Sequence, residues 1–148
     1  MKIPVLAIRI IAVLFLAFVL VHFMLNHEKR SVFNELAQGA KNLALHREWT
    51  ALGDTNEKMS VIVPWAFLAF ALVSGAVYLL RKISFAQLMT TVCAVLLGYG
   101  ILILVFWKGF AVLSIYDVVN SPIYCASMSL CLALLAWVIE KRRKKQKQ

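Results

Sequence analysis

The side chains best suited to redox chemistry are three cysteines, Cys93, Cys125 and Cys131. Cys125 and Cys131 are six residues apart, so on one helix they point in different directions and lie about 9 Å apart along the axis. That separation excludes a disulfide between them unless the helix unwinds. A four-helix, quinone-linked disulfide oxidase would need cysteine pairs in the loops between its helices, where this sequence has none. We therefore interpret the cysteines as small apolar packing residues.

The histidines could ligate a haem, but their positions do not suit one. His22 falls in the first long apolar stretch, whereas His27 and His46 follow in a charged segment. A membrane cytochrome usually needs two axial ligands, and nothing in the spacing singles out Met89 or Met128 as the second. We expect His22 to be a packed or interfacial residue, and we expect no cofactor and no metal ion.

Hydrolytic chemistry would need paired carboxylates or an activated nucleophile. Asp54 and Asp117 would meet only if two separate loops came together, and Asp54 has an alternative role as a helix cap. The sequence has no G-x-S-x-G or H-E-x-x-H motif and no glycine-rich phosphate loop. We predict that the chain has no catalytic residues and is not an enzyme.

The segment "IYDVVNSPIY" is a short polar cluster near the C-terminal apolar stretch. Its Tyr116, Asp117, Asn120 and Tyr124 supply hydrogen-bonding groups. They are candidates for recognising a partner or a lipid headgroup. The alternative is structural, with the same residues forming a polar turn and a helix cap.

The placement of charges divides the chain into segments of membrane length. Of the 148 residues, 62% are hydrophobic and 16% are charged, which is more apolar than a typical soluble domain. Four stretches of 18, 22, 25 and 22 residues contain no charged side chain, and a helix needs about 20 residues to cross a bilayer. We predict one all-α domain, an up-down-up-down bundle whose first helix is an uncleaved anchor. The predicted transmembrane helices lie at about 4–26, 60–80, 84–107 and 122–140.

The net charge of +9 is distributed unevenly between the two ends of such a bundle. With the N-terminus inside, the segments 1–9, 81–82 and 140–148 hold ten Lys or Arg and one acid, whereas the first outer loop, 27–59, holds five of each sign. This is the positive-inside pattern. We predict a multi-pass protein of a bacterial inner membrane with both termini in the cytoplasm; a eukaryotic organelle membrane is the alternative, because the positive-inside rule holds there too. The basic tail, 141–148, would rest on anionic lipid, and we expect no nucleic acid partner because the tail has no interleaved aromatics.

The first outer loop and the helix ends carry local signals. The stretch "SVFNELAQGAKNLALHREW" repeats apolar residues at helical spacing, which predicts a short amphipathic helix on the outer leaflet or over the bundle. A capping-box pattern predicts that helix 2 begins at Asp54, with Ser60 as the alternative start. Ser84 opens a second capping box, and Ser121 followed by Pro122 predicts the start of helix 4.

Small residues that allow helices to approach closely occur on three predicted helices. They are Ala71 and Gly75, Gly98 and Gly100, and the stripe formed by Cys125, Ser129 and Ala133. Either they pack the chain against itself or they contact a partner.

These features favour a non-enzymatic accessory protein embedded in the lipid bilayer. We predict that it binds another membrane protein, an incoming toxin or DNA-transfer machinery, as immunity and exclusion proteins do, with further copies of the chain as an alternative partner. The alternative function is a small oligomeric transporter or lipid-handling protein, with Arg9, Tyr99 and Asp117 along its path. The lack of a charged residue in the middle of any apolar stretch weighs against transport.

Overall fold

The computed structural model describes residues 3–38, 43–109 and 120–145, and these are almost entirely helical. All four α-helices are long and apolar enough to cross a membrane. The predicted all-α architecture, with four candidate membrane spans, is therefore confirmed. The elements are α1 (Ile3–Ala37), α2 (Leu43–Leu79), α3 (Phe85–Leu104), a π-helical turn that continues it (Val105–Gly109), and α4 (Ser121–Lys145).

The first two helices are much longer than the membrane spans predicted for them at 4–26 and 60–80. α1 has 35 residues and α2 has 37, which at 1.5 Å per residue makes each longer than about 50 Å. The hydrocarbon layer of a bilayer is only about 30 Å thick. The charges of 27–59 predicted a loop, but charged side chains are equally well hydrated on the water-facing side of a helix. Hydropathy marks where a helix leaves the apolar layer and does not mark where it ends.

α1 and α2 pack against each other in opposite directions. The ring of Phe15 lies 5.4 Å from that of Phe67, measured between centroids, and the ring of Phe33 lies 6.4 Å from that of Trp49. Moving forward along α1 therefore means moving backward along α2. As a result, the charged parts of both helices lie at the same end, where they form one extension that we call the charged hairpin (residues 26–38 and 43–58).

The predicted amphipathic helix is not confirmed as a separate element. Its residues 31–37 form the end of α1 and its residues 43–49 form the start of α2, while 39–42 lie outside the described residues. Its helical periodicity is present in the structure. The periodicity is divided between two antiparallel helices, in which Val32 is buried while Phe33 and Leu43 remain largely exposed.

α2 begins at neither of the two residues predicted for its start. Asp54 and Ser60 both lie inside the helix, and Thr55 donates its hydroxyl hydrogen bond back to the Ala51 carbonyl at 2.9 Å. Pro64 is also an interior residue. Its ring nitrogen carries no hydrogen, so it cannot make the usual helical bond to the carbonyl four residues earlier.

The other two predicted helix starts agree with the structure. Ser84 caps α3 with a full capping box, in which the Gln87 N–H donates to Ser84 Oγ at 3.2 Å and the Ser84 N–H donates to Gln87 Oε1 at 3.0 Å. α4 begins at Ser121, within a residue of the predicted start.

One face of each helix builds the core, and the other faces are apolar and exposed. Phe15 packs edge-on against Phe67 and, at 6.1 Å between centroids, against Tyr99 of α3. α4 contributes Cys125 and Ala136, both buried. Outward-facing side chains such as Leu97 are largely exposed. A helix bundle that is surrounded by lipid has apolar side chains on its outer surface as well as in its core.

Candidate functional site

An asparagine pair joins α1 to α2 where the uncharged stretches meet the charged hairpin. The side-chain amide of Asn56 donates a hydrogen bond to Oδ1 of Asn26, and Asn26 is only 9% exposed. Nδ2 of Asn26 and Oδ1 of Asn56 are buried without a hydrogen-bond partner among the described residues. An amide in apolar surroundings is costly unless it is hydrogen-bonded. The pair therefore favours the one register that brings both residues together.

Other polar groups lie near this level of the bundle. His22, one turn before Asn26, is 1% exposed, and its ring centroid lies 5.6 Å from that of Phe23. The hydroxyl of Tyr99 donates to Oγ of Ser121 at 2.8 Å, and both residues are buried. This bond joins α3 to the first residue of α4.

Aromatic and cation contacts also join the two helices of the charged hairpin. The Lys29 ammonium lies 5.6 Å from the ring centroid of Trp49, a distance at which cation–π attraction operates. Gly53 makes room for this side chain, since a Cβ there would lie 3.3 Å from Lys29 Nζ. Phe33 and Leu43 are 53% and 67% exposed. The hairpin therefore presents apolar side chains among charges of both signs.

A second site lies at the opposite end of the bundle, between the α2–α3 turn and the end of α4. It is a cavity of about 430 Å³ that we call the basic cavity. Its lining combines three cationic side chains with one carboxylate, two hydroxyls and two apolar side chains. The lining residues are Tyr78, Arg81, Ile83, Ser84, Phe85, Glu140, Arg143 and Lys144.

Tyr78 organises the floor of the basic cavity. Its hydroxyl lies 3.0 Å from Oε2 of Glu140 and 3.1 Å from the Ala136 carbonyl oxygen, and its side chain is 2% exposed. The guanidinium carbon of Arg143 lies 5.0 Å from the centroid of the Tyr78 ring. Arg143 also donates to the Leu79 carbonyl at 3.2 Å. These contacts fix the end of α4 against the end of α2.

Arg81 has an unusual backbone conformation at the rim of this cavity. Its φ of 58° is left-handed, and glycine usually occupies this position after a helix because other residues are strained there. The Arg81 N–H donates to the Tyr78 carbonyl at 2.9 Å and the Lys82 N–H donates to the Val77 carbonyl at 3.1 Å. These two bonds are the Schellman pattern that closes a helix. A cationic side chain therefore occupies a position where glycine would be more stable.

Of the predicted polar cluster, only half falls among the described residues. Tyr116 and Asp117 lie outside them. Asn120 and Tyr124 are both exposed, and Tyr124 is 54% exposed. Ser121, which the sequence marked only as a cap, makes the buried bond to Tyr99.

The predicted packing residues occupy different environments. A Cβ at Gly75 would lie 3.1 Å from Leu132 Cδ1 and one at Gly98 would lie 2.9 Å from Leu16 Cδ1, whereas one at Gly100 would meet nothing within 4 Å. The remaining three predicted residues are on the inward side or beside it. Ala71 is buried, Ser129 is buried and donates to the Cys125 carbonyl at 2.8 Å, and Ala133 is half-buried.

Sequence reasoning missed the residues that make the two polar sites. Asn26 and Asn56 carry no charge, so they did not interrupt the apolar pattern, and only the register of α1 against α2 brings them together. The basic cavity did leave a signal. Glu140 is the one acid among the basic residues assigned to the inner side.

Both ends of the bundle offer groups that are suited to binding. The asparagine pair and the charged hairpin provide hydrogen bonds, aromatic rings and mixed charge. The basic cavity provides three cations and hydroxyls. No family model, curated protein or solved structure matches the chain. The three cysteines are free thiols, with Cys125 buried and the other two exposed.

Proposed function

We propose that this chain is a non-enzymatic accessory protein of a bacterial inner membrane, and that it binds another membrane protein, as immunity and exclusion proteins do. The observation that carries the proposal is the charged hairpin. Four helices that only had to cross the bilayer would need about 20 residues each, yet α1 and α2 have 35 and 37. The extra length presents a surface on one side of the membrane.

The proposed topology is up-down-up-down, with both termini and the basic cavity in the cytoplasm. The order of contacts supports it. α1 and α3 run in the same direction, because Leu16 approaches Gly98 and Phe23 approaches Phe106. α2 and α4 do the same, since Gly75 approaches Leu132 and Tyr78 contacts Ala136. The excess of Lys and Arg at the cavity end supports its cytoplasmic placement by the positive-inside rule.

The chemistry of the charged hairpin suits a protein surface better than a lipid surface. The charged hairpin holds four basic and five acidic side chains, so it has no excess of positive charge to attract it to anionic lipid. Mixed charges around exposed aromatic and apolar side chains are typical of protein interfaces, where aromatic residues dominate the binding energy. Phe33, Leu43 and the half-buried Trp49 are the proposed contact residues.

Photo-crosslinking in the native membrane tests this proposal. A photoreactive amino acid replaces Leu43 on the charged hairpin, and a matched control replaces Leu97 on α3; the two are 67% and 68% exposed. We expect one discrete protein adduct from position 43, and we expect adding Trp49→Ala to weaken it. Position 97 should crosslink to lipid. If a well-inserted chain gives no protein adduct from position 43, the proposal is wrong.

The alternative of a small oligomeric transporter or lipid-handling protein receives less support. Tyr99 is 3% exposed and is hydrogen-bonded to Ser121 inside the core. Arg9 is exposed near the start of α1, and Asp117 lies outside the described residues. A crosslink between two copies of the chain from position 97 would favour this alternative, because it would place α3 in a homo-oligomer.

A further inference from the structure

We infer that the basic cavity is a binding site for a phosphate group at the membrane surface. Three cations converge on it from two separate elements, Arg81 from the α2–α3 turn and both Arg143 and Lys144 from α4. Against them stands one carboxylate, Glu140. The lining therefore has an excess of positive charge, and a phosphate is the anion that guanidinium and ammonium groups commonly bind.

The Glu140 carboxylate does not cancel the positive charge of the basic cavity. Oε2 of Glu140 lies 3.0 Å from the buried hydroxyl of Tyr78. The carbonyl oxygen of Ala136, one turn earlier in α4, is the second acceptor for the same hydroxyl. Arg143 directs its guanidinium to the Leu79 carbonyl and the Tyr78 ring. The carboxylate thus positions the floor of the cavity, and Arg81 and Lys144 stay at the rim.

The backbone of Arg81 is independent support for a ligand. Its left-handed φ of 58° closes α2, a task that glycine performs with less strain. Strain of this kind is more often found at functional sites than elsewhere. The side chain that glycine would lack is the one that lines the cavity.

The N-terminal end of α3 adds to the positive electrostatic potential in the basic cavity. Ser84, its N-cap, and Phe85, its first residue, both line the cavity. The N-terminus of a 20-residue helix carries a partial positive charge from its aligned peptide dipoles. Together with three cations in a cavity of about 430 Å³, this end of α3 makes a concave anion site and not only a charged surface.

The depth of the cavity points to a lipid headgroup as the source of the phosphate. Leu79 and Leu80, just before Arg81, are 56% and 68% exposed, which suits contact with acyl chains. Trp137 is 53% exposed, and the Lys141 ammonium lies 5.1 Å from its ring centroid. Exposed tryptophan with a nearby lysine is typical of the boundary between hydrocarbon and headgroups. A soluble phosphate compound is the other source of the same chemistry.

The test measures lipid binding to the full chain in detergent by native mass spectrometry. Dioleoyl phosphatidylglycerol is titrated, with dioleoyl phosphatidylcholine as the zwitterionic reference and inorganic phosphate as the soluble probe. Arg81→Gln and Lys144→Gln remove rim cations. Arg142→Gln and Lys145→Gln are the matched controls, because they remove the same charges from exposed neighbours that do not line the cavity.

We expect phosphatidylglycerol to bind more tightly than phosphatidylcholine. Each rim variant should weaken that binding about tenfold, as the loss of one charge-assisted hydrogen bond does, and each control should weaken it less than about twofold. If the rim variants weaken binding of inorganic phosphate in this way and lipid does not bind, the phosphate site is supported and its ligand is a soluble compound. Equal losses in rim and control variants, or no binding of either probe, would overturn the inference.

Discussion

Gly98 and Gly100 look alike in the sequence, and we expect Gly98→Ala and Gly100→Ala to differ in their effects on stability. Both residues lie inside α3. Replacing glycine by alanine within a helix stabilises it by up to about 1 kcal/mol, because alanine loses less backbone entropy. That gain applies to both positions. The difference between the two variants therefore measures what each new methyl group meets.

The methyl group at position 98 meets Leu16 of α1. Its Cβ would lie 2.9 Å from Cδ1 and 3.3 Å from Cδ2, whereas ordinary contact is 3.4–4 Å and a Cβ at position 100 would meet nothing within 4 Å. Overpacking costs about 1 kcal/mol or more in a rigid core, and the tip of the Leu16 side chain can shift, so we take the low end of that range. We expect Gly100→Ala to be neutral or stabilising and Gly98→Ala to be less stable than it by about 1 kcal/mol.

Titration with sodium dodecyl sulfate from mild detergent, followed by tryptophan fluorescence, gives the free energy of unfolding. Leu16→Ala provides the second arm of a double-mutant cycle with Gly98→Ala, because it removes the two methyl groups that the new Cβ would meet. The double variant should be more stable than the sum of the single changes predicts. Equal effects of Gly98→Ala and Gly100→Ala would refute the close approach of α1 and α3.

Three further predictions concern polar groups. Asn26→Leu should destabilise the bundle by about 1–2 kcal/mol because it leaves the Asn56 amide buried alone; adding Asn56→Leu should restore most of that loss, and additive losses would contradict the pairing. Ser74→Ala should stabilise by about 1 kcal/mol, since the buried Ser74 hydroxyl has no partner among the described residues. Ser129→Ala removes a formed hydrogen bond and should not stabilise the protein. Equal shifts in melting temperature for Ser74→Ala and Ser129→Ala would contradict this prediction. Arg81→Gly should raise stability by about 1 kcal/mol while it weakens phosphatidylglycerol binding; an unchanged melting temperature would argue against backbone strain at this residue.

The number of helices could be predicted from the sequence because burying a charge in hydrocarbon is so costly that the charge-free stretches show where membrane spans lie. The length of α1 and α2 could not. A charged side chain on the water-facing side of a helix and one in a loop contribute equally to a hydropathy profile, so the profile does not distinguish them. The residues near Asp54 show the difficulty: their capping-box spacing is genuine, but tertiary packing keeps them inside α2.

The candidate sites were harder to predict because they depend on register and direction. Gly98 and Gly100 are separated by about 200° around the helix axis, and only one of them can face α1. The bond between Asn26 and Asn56 requires the register of two helices, which no local pattern contains. Tyr78 and Glu140 come together only because the last turns of α2 and α4 lie side by side.

The length of α1 also places the tip of the charged hairpin far from the electrostatic potential at the bilayer surface. The 11 residues that follow Asn26, up to Ala37, place the end of α1 about 17 Å beyond the asparagine pair. The screening length of salt water at physiological ionic strength is about 8 Å. Charges near that end are therefore shielded from the surface potential of the bilayer. A change in the anionic lipid content of the membrane should alter occupancy of the basic cavity and leave any crosslink from Leu43 on the charged hairpin unchanged.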